Sequence, residues 1–197
     1  MSGRPELAIM TRLALTTLAV LALAGCGDRP DKSGVEKSGA DVQVSAQNRT
    51  LAAALKADKA YSGLAMVLDN SGLHPALDGV GPYTVFAPAG SALNATGANF
   101  TDPTMKAEGA ALLRAHIVPG ALTRADIVAA VDRSAGKGAQ MRTMGGDMLT
   151  FTRSGEDLIA TASDGATARV TGPETLASNG VLQPVDGLLA KPSAAPN

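Results

Sequence analysis

Apolar residues fall into two regimes along this chain: helical spacing over most of the first two thirds, and short runs between glycine turns from Ala139 onward. Leu51, Ala54 and Leu55 follow Asn48 and Thr50, either of which can cap a helix. A second helix is expected from Tyr61 or Ser62, with Leu64, Val67 and Leu68 on one stripe and a stop at Asn70-Ser71-Gly72. Leu73 and Leu77 read as anchors of a short turn. Ser91 to Ala95 suits one helical turn, and Pro103 opens a helix that runs to about Ala115 with Met105, Ala111 or Leu112, and Ala115 inward. Thr123 caps a further helix carrying Ile127, Val128 and Val131, which Gly136 and Gly138 end.

The run Tyr83 to Pro88 stands between Gly81-Pro82 and Ala89-Gly90, so it reads as a short buried strand, as does His116 to Gly120. Gln140–Met144, Met148–Arg153, Leu158–Ala162 and Ala166–Val170 are separated by Gly145-Gly146-Asp147, Ser154-Gly155 and Asp164-Gly165, the pattern of an antiparallel meander. Leu149 and Phe151 alternate with Thr150 and Thr152, giving one buried and one wet face. A last strand spans Gly180 to Val185. Helices before strands predict an α+β fold.

With 197 residues and 45% hydrophobic content, the chain supports one domain with a core. Aromatics make up only 3% and there is no Trp, so base stacking has few platforms. A net charge of −1 without a basic block excludes the phosphate-dominated attraction on which nucleic-acid binding rests.

The single cysteine, Cys26, follows an apolar stretch from Leu13 to Ala24 behind Arg12, too short to span a bilayer and built like a secretory signal. Met10 with Arg12 would make a compact signal by itself. Leu23-Ala24-Gly25-Cys26 resembles the bacterial lipobox, which implies cleavage after residue 25 and lipidation of Cys26, and accounts for a cysteine without a mate. Several acyl chains hold a protein at a membrane surface, where one binds marginally. Gly27, in place of an Asp directly after the cysteine, favours the outer membrane over the inner. The expected organisation is a signal peptide over 1–25, a lipidated tether over 26–47 poor in large apolar residues, a domain over 48–192 and a tail over 193–197.

Three stretches in order carry a resemblance: Gly81-Pro82-Tyr83-Thr84-Val85-Phe86-Ala87-Pro88, Leu112 to Gly120, and Ala177 to Leu189. Their wording and spacing resemble the first block, the Tyr-His block and the second block of the fasciclin domain. The resemblance implies a wedge or sandwich of antiparallel strands with packed helices, with the two blocks as neighbouring central strands. Thr84, Val85, Phe86, Pro88, His116, Val118, Pro119, Gly120, Asn179, Gly180, Val181 and Asp186 are the motif positions. It also implies adhesion or ligand contact without catalysis, with protein or polysaccharide as partner. Ala89 and Gly90 replace a polar continuation of the first block, and Ala115 stands where the family has Tyr.

Among candidate chemistry, His116 is expected to be satisfied by backbone carbonyls. His74, before Pro75, reads as solvated, and two histidines so far apart make no zinc site. Met141, Met144 and Met148 are thioethers of the kind that select Cu(I), but in an aromatic-poor domain they read as gap-filling core. No Gly-x-Ser-x-Gly elbow exists, and Asp126 with Asp132, or Glu156 with Asp157, read as solvated surface and not as an acid/base pair. No cofactor or metal is expected. The leading function is a membrane-anchored envelope protein mediating adhesion. The alternative is a small-molecule receptor with a groove beside the His116 strand, drawing on His116 and Asn179.

Overall fold

Thr50 turns the chain into the first helix of the described residues by accepting the Ala53 N–H at 3.3 Å, which satisfies one of the amides a helix start leaves orphaned. The structure, a computed structural model, describes residues 48–191. The expected signal peptide, Cys26, the tether and the tail lie outside the described residues. Helices α1 (Leu51–Ala57), α2 (Ser62–Ser71) and α3 (His74–Asp78) precede strand β1 (Tyr83–Pro88). Helices α4 (Gly90–Asn94) and α5 (Lys106–Ala115), strand β2 (Ile117–Pro119) and helix α6 (Arg124–Arg133) follow. Strands β3 (Ala139–Arg142), β4 (Met148–Ser154), β5 (Asp157–Ala162), β6 (Thr167–Val170), β7 (Thr175–Ala177) and β8 (Gly180–Val185) come last among the described elements. The α+β expectation holds, with β1, β2 and α6 interleaved between the two regimes.

Local signals explain most boundaries. Gly72 sits at φ 73°, the left-handed conformation that ends α2. Thr123 and Asp126 form a reciprocal capping box at α6, so Asp126 is a helix-start residue. Leu73 and Leu77 anchor more than a turn: Pro75 near the start of α3 pre-sets helical geometry, and His74 opens that helix with Nδ1 3.3 Å from Asp69 Oδ1. Ala89 occupies the N-cap of α4 and offers no side-chain cap, which is where the missing polar continuation would have acted.

The strands form one sheet in the order β2-β1-β8-β6-β5-β4-β3, with β7 pairing β8 beside this path. From β3 to β6 it is the expected antiparallel meander. The central pair departs from an all-antiparallel sandwich: β1 and β8 run parallel, from Tyr83 opposite Gly180 to Pro88 opposite Val185. Tight hairpins force antiparallel pairing, whereas the long crossover from β1 to β8 lifts that constraint. The loop after β3 returns to β2, with Met144 N–H donating to Ile117 O at 2.7 Å and Gly145 N–H to Arg114 O at 3.1 Å. The sheet therefore curls until its two ends meet, a near-barrel wedge.

Strand alternation makes the central pair serve two cores. Val85, Ala87 and Leu182 face the helical layer, packing with Leu51, Leu55, Leu64, Leu68, Leu77 and Leu113. Phe86 and Val185 face the inside of the curled sheet with Leu149, Phe151, Ile127 and Leu189. The Phe86 and Phe151 rings lie 5.1 Å apart at 36°. Met144 packs on the first core and Met141 on the second, as gap-fillers do.

Two glycines permit this pairing. A Cβ at Gly180 would collide with the Tyr83 carbonyl oxygen, and one at Gly81 with the Asn179 carbonyl oxygen. Gly180→Ala is expected to lower unfolding free energy by about 3 kcal/mol or more in urea denaturation, because backbone and not a pliable side chain must move. Gly63→Ala, inside α2 with its nearest neighbour 3.6 Å from the added methyl, should be neutral or gain up to about 1 kcal/mol. Equal effects at the two sites would refute the close-approach explanation.

Candidate functional site

Asn179 sits in the two-residue turn that joins β7 to β8, where Ala177 pairs Gly180. Its side chain reaches beneath the helices. Oδ1 accepts the N–H of Leu51 at 2.8 Å, the first residue of α1. Nδ2 donates to Leu77 O at 2.8 Å and to Gly79 O at 2.6 Å, carbonyls at the end of α3. Its own carbonyl accepts from Tyr83 N–H at 3.1 Å. The side-chain amide thus satisfies orphan groups at two helix ends, while the backbone carbonyl of the same residue holds the start of β1.

His116 performs the same office on α5. The ring is fully buried; Nδ1 lies 2.8 Å from Leu112 O, and Nε2 lies 2.9 Å from the Leu189 amide. An amide can only donate, so Nε2 is the acceptor and Nδ1 carries the proton. The partners are therefore one carbonyl and one amide, where the sequence reading expected carbonyls. Burial pushes the imidazole pKa down to about 4, against a smaller upward pull from Leu112 O.

Both residues that the sequence reading offered for binding are thus spent on the fold. Neither presents a free polar atom to a ligand: burial and saturation by backbone groups give both side chains a tying role. The other motif positions divide likewise. The buried Thr84 hydroxyl donates to Gly120 O at 2.7 Å and accepts from Leu122 N–H at 2.8 Å, fixing the loop after β2. Asp186 accepts from Arg169 N–H at 2.7 Å and lies 3.2 Å from Arg169 Nε, joining the end of β8 to β6. Val85, Phe86, Pro88, Val118 and Val181 pack, while Pro119 is exposed on β2. Asp132 and Asp157 pair with Arg153 and Arg169 at 3.5 and 3.4 Å.

Gln183 went unnoticed in the sequence. It is fully buried on β8, with Nε2 donating to Leu122 O at 3.2 Å and to Glu174 Oε2 at 2.6 Å. Glu174 Oε2 also accepts the Arg124 amide at 2.6 Å, at the start of α6. The available signal was a lone amide inside the apolar run Val181–Val185.

The open concavity lies elsewhere, outside α5. A groove of about 790 Å³ runs along the outer stripe of α5, between the α4–α5 connection and the turns that carry Asp147 and Asp164. Its floor is apolar and built largely of small side chains, including Ala98, Phe100, Leu112, Ala115 and Ala190. Glu108, Asp147, Asp164 and Lys191 supply the charges at its edge. Backbone amides of Lys191 and Ala166 and the Lys191 charge hold the Asp164 carboxyl below its usual range, overcoming a burial effect in the other direction. Ala115, the departure from the Tyr-His pattern, lines this groove. A second depression of about 430 Å³ beside β7 is bordered by the exposed Val80 and Leu176 and has no charged lining residue.

A model of the fasciclin domain matches residues 59–191. Stabilin-1 of Homo sapiens is 32% identical over 154 residues, which cover 75% of this chain and 6% of that protein. Protein sll1483 of Synechocystis is 28% identical over 156 residues, covering 77% of this chain and 73% of that one. Among solved structures, the FAS1 domain pair from the insect cell adhesion molecule Fasciclin I shares the fold, with a TM-score of 0.62 at 15% identity over 73% of this chain and 51% of that chain. The chain thus spans a small fraction of the human relative and about half of the insect chain.

Two outcomes follow from the ties. Asn179→Ala strands the Leu51 amide and two carbonyls, and is expected to cost at least about 3 kcal/mol by urea unfolding. His116 titrates near 6.5 in the unfolded chain and about 4 in the folded one, so the unfolded state binds more protons between those values. Stability is full above the upper value and falls as pH drops through the window, by up to about 3 kcal/mol from this group. His116→Asn should start less stable and lose that part of the pH dependence; parallel pH profiles of the two proteins would contradict the neutral-histidine tie.

Proposed function

Because the chain belongs to the fasciclin domain family, we propose that it works as a membrane-anchored, extracytoplasmic contact domain in adhesion or envelope interactions. The observation that carries this reading is the family match over residues 59–191, two thirds of the chain. The spent chemistry of His116 and Asn179 supports it: a contact domain needs a rigid scaffold and a surface, and no convergent acid/base set. The cell adhesion molecule of like fold lends the reading its direction. The Leu23-Ala24-Gly25-Cys26 pattern supplies the anchor, and with it placement at the outer membrane or the periplasmic face.

Protein is favoured over polysaccharide as partner. Sugar recognition leans on exposed aromatic faces, whereas Tyr61, Phe86, Phe100 and Phe151 are buried here and Tyr83 is half-buried. The second reading, a receptor for a small molecule, rests on the 790 Å³ groove, which falls in the usual range for such sites but does not include His116.

Cys26→Ser is expected to move the protein from the membrane fraction to the soluble one and to abolish incorporation of radiolabelled palmitate, with its circular dichroism unchanged. Retention at the membrane together with continued labelling would overturn the anchor.

A further inference from the structure

Two demands of the fold fall on neighbouring residues. Position 179 calls for an amide, because Oδ1 accepts the Leu51 N–H while Nδ2 donates to Leu77 O and Gly79 O. An ionised carboxylate of the same size accepts only and cannot supply that mixed set. Position 180 calls for glycine, because a Cβ there would meet the Tyr83 carbonyl oxygen. The central pairing therefore writes an Asn-Gly step into the chain, and the sequence has no other: Asn48, Asn70, Asn94 and Asn99 are followed by Arg, Ser, Ala and Phe.

Asn-Gly is the least durable setting for an asparagine. Glycine puts no side chain in the way of its own amide nitrogen and leaves the backbone free to bring that nitrogen onto the asparagine Cγ. In this reaction Gly180 N bonds to Asn179 Cγ, the Cγ–Nδ2 bond breaks, and Nδ2 leaves as ammonia with the proton that Gly180 N gives up. Water then opens the succinimide ring on one side or the other. The product at position 179 is aspartate or, with an extra methylene in the backbone, isoaspartate.

The folded domain restrains every part of this step. Asn179 is buried, and departure of Nδ2 would break hydrogen bonds of 2.8 and 2.6 Å to Leu77 O and Gly79 O. Turning Cγ toward Gly180 N would release the Leu51 amide as well. The unfolded chain has none of these restraints. Neither product suits the native site at neutral pH: aspartate sets an oxygen against Leu77 O and Gly79 O where a donor stood, and isoaspartate lengthens the turn that places Ala177 opposite Gly180.

We propose that Asn179-Gly180 is a self-modification site, closed in the folded domain and opened by unfolding, which converts time spent unfolded into permanent loss of the fold. The inference goes beyond the contact-domain reading and does not depend on it. The residue pair that holds the central strands together is thereby also the pair that limits how long the chain survives without them.

The test incubates the purified chain in warm, mildly alkaline buffer, native in one arm and unfolded in guanidinium chloride in the other, and follows each asparagine by peptide mass spectrometry. In denaturant, Asn179 is expected to exchange NH2 for OH faster than Asn48, Asn70, Asn94 or Asn99. The altered chains, separated by their added negative charge, should fail to regain native circular dichroism on dilution. In the native arm the reaction at Asn179 should be at least about a hundredfold slower, in keeping with the small unfolded fraction of an ordinary domain. Asn179→Gln, which would have to close a larger ring, should keep its mass in denaturant whether or not that chain folds. A smaller difference between the two arms would overturn the closed site. Equal rates at the other asparagines, or ammonia loss from Asn179→Gln as fast as from the parent, would overturn the chemistry assigned to this step. Altered chains that refold to the native signal would overturn its link to the fold.

Discussion

The fold depends on bringing β1 and β8 side by side in parallel, although most of the domain's chain separates them. Closing so long a connection costs conformational entropy before any contact repays it. The repayment is concentrated in one place. Asn179 hydrogen-bonds the first amide of α1, two carbonyls at the end of α3 and, through its own carbonyl, the first amide of β1. Gly81 and Gly180 leave the room that this approach requires. Once paired, the two strands present Val85, Ala87 and Leu182 to the helices, and Phe86 and Val185 to the curled sheet, so both cores are built on the same pair.

Buried polar side chains repeat that logic away from the central turn. His116 ties the end of α5 to Leu189, Thr84 fixes the loop after β2, and Gln183 with Glu174 holds the start of α6. Each joins elements distant in sequence, and each would leave a backbone group stranded if removed. The polar atoms so tied are spent on the fold, while Gln183 Oε1 stays buried without a partner. A concavity of about 790 Å³ lies outside this tied interior, along α5.

Where information is local, it was legible in the residues. The strand at Tyr83–Pro88 declared itself by its breakers, Thr123 by the cap it forms with Asp126, and the meander by glycine turns between alternating runs. What was not legible depends on distance in space. Parallel pairing of β1 with β8 has no local signature, because either direction buries the same residues. Strand β7 escaped because Thr175-Leu176-Ala177 is three residues long and owes its existence to β8. The groove arises where alanines from separate segments meet, and alanine announces neither a core nor a site. His116 and Asn179 were offered for binding, and only the positions of Leu51, Leu77, Leu112 and Leu189 reveal the ties that they make.

Native-state hydrogen exchange measures the central claim directly, since it resolves the free energy at which each amide opens. The amides of Leu51 and Leu189, which donate to Asn179 and His116, and those of Tyr83 and Phe86 on β1 should exchange only through global unfolding. Their exchange free energies should coincide with one another and with the stability measured by denaturant. Exchange of Leu51 or Leu189 through a local opening well below that value would show that the fold survives release of these ties, and would contradict the account.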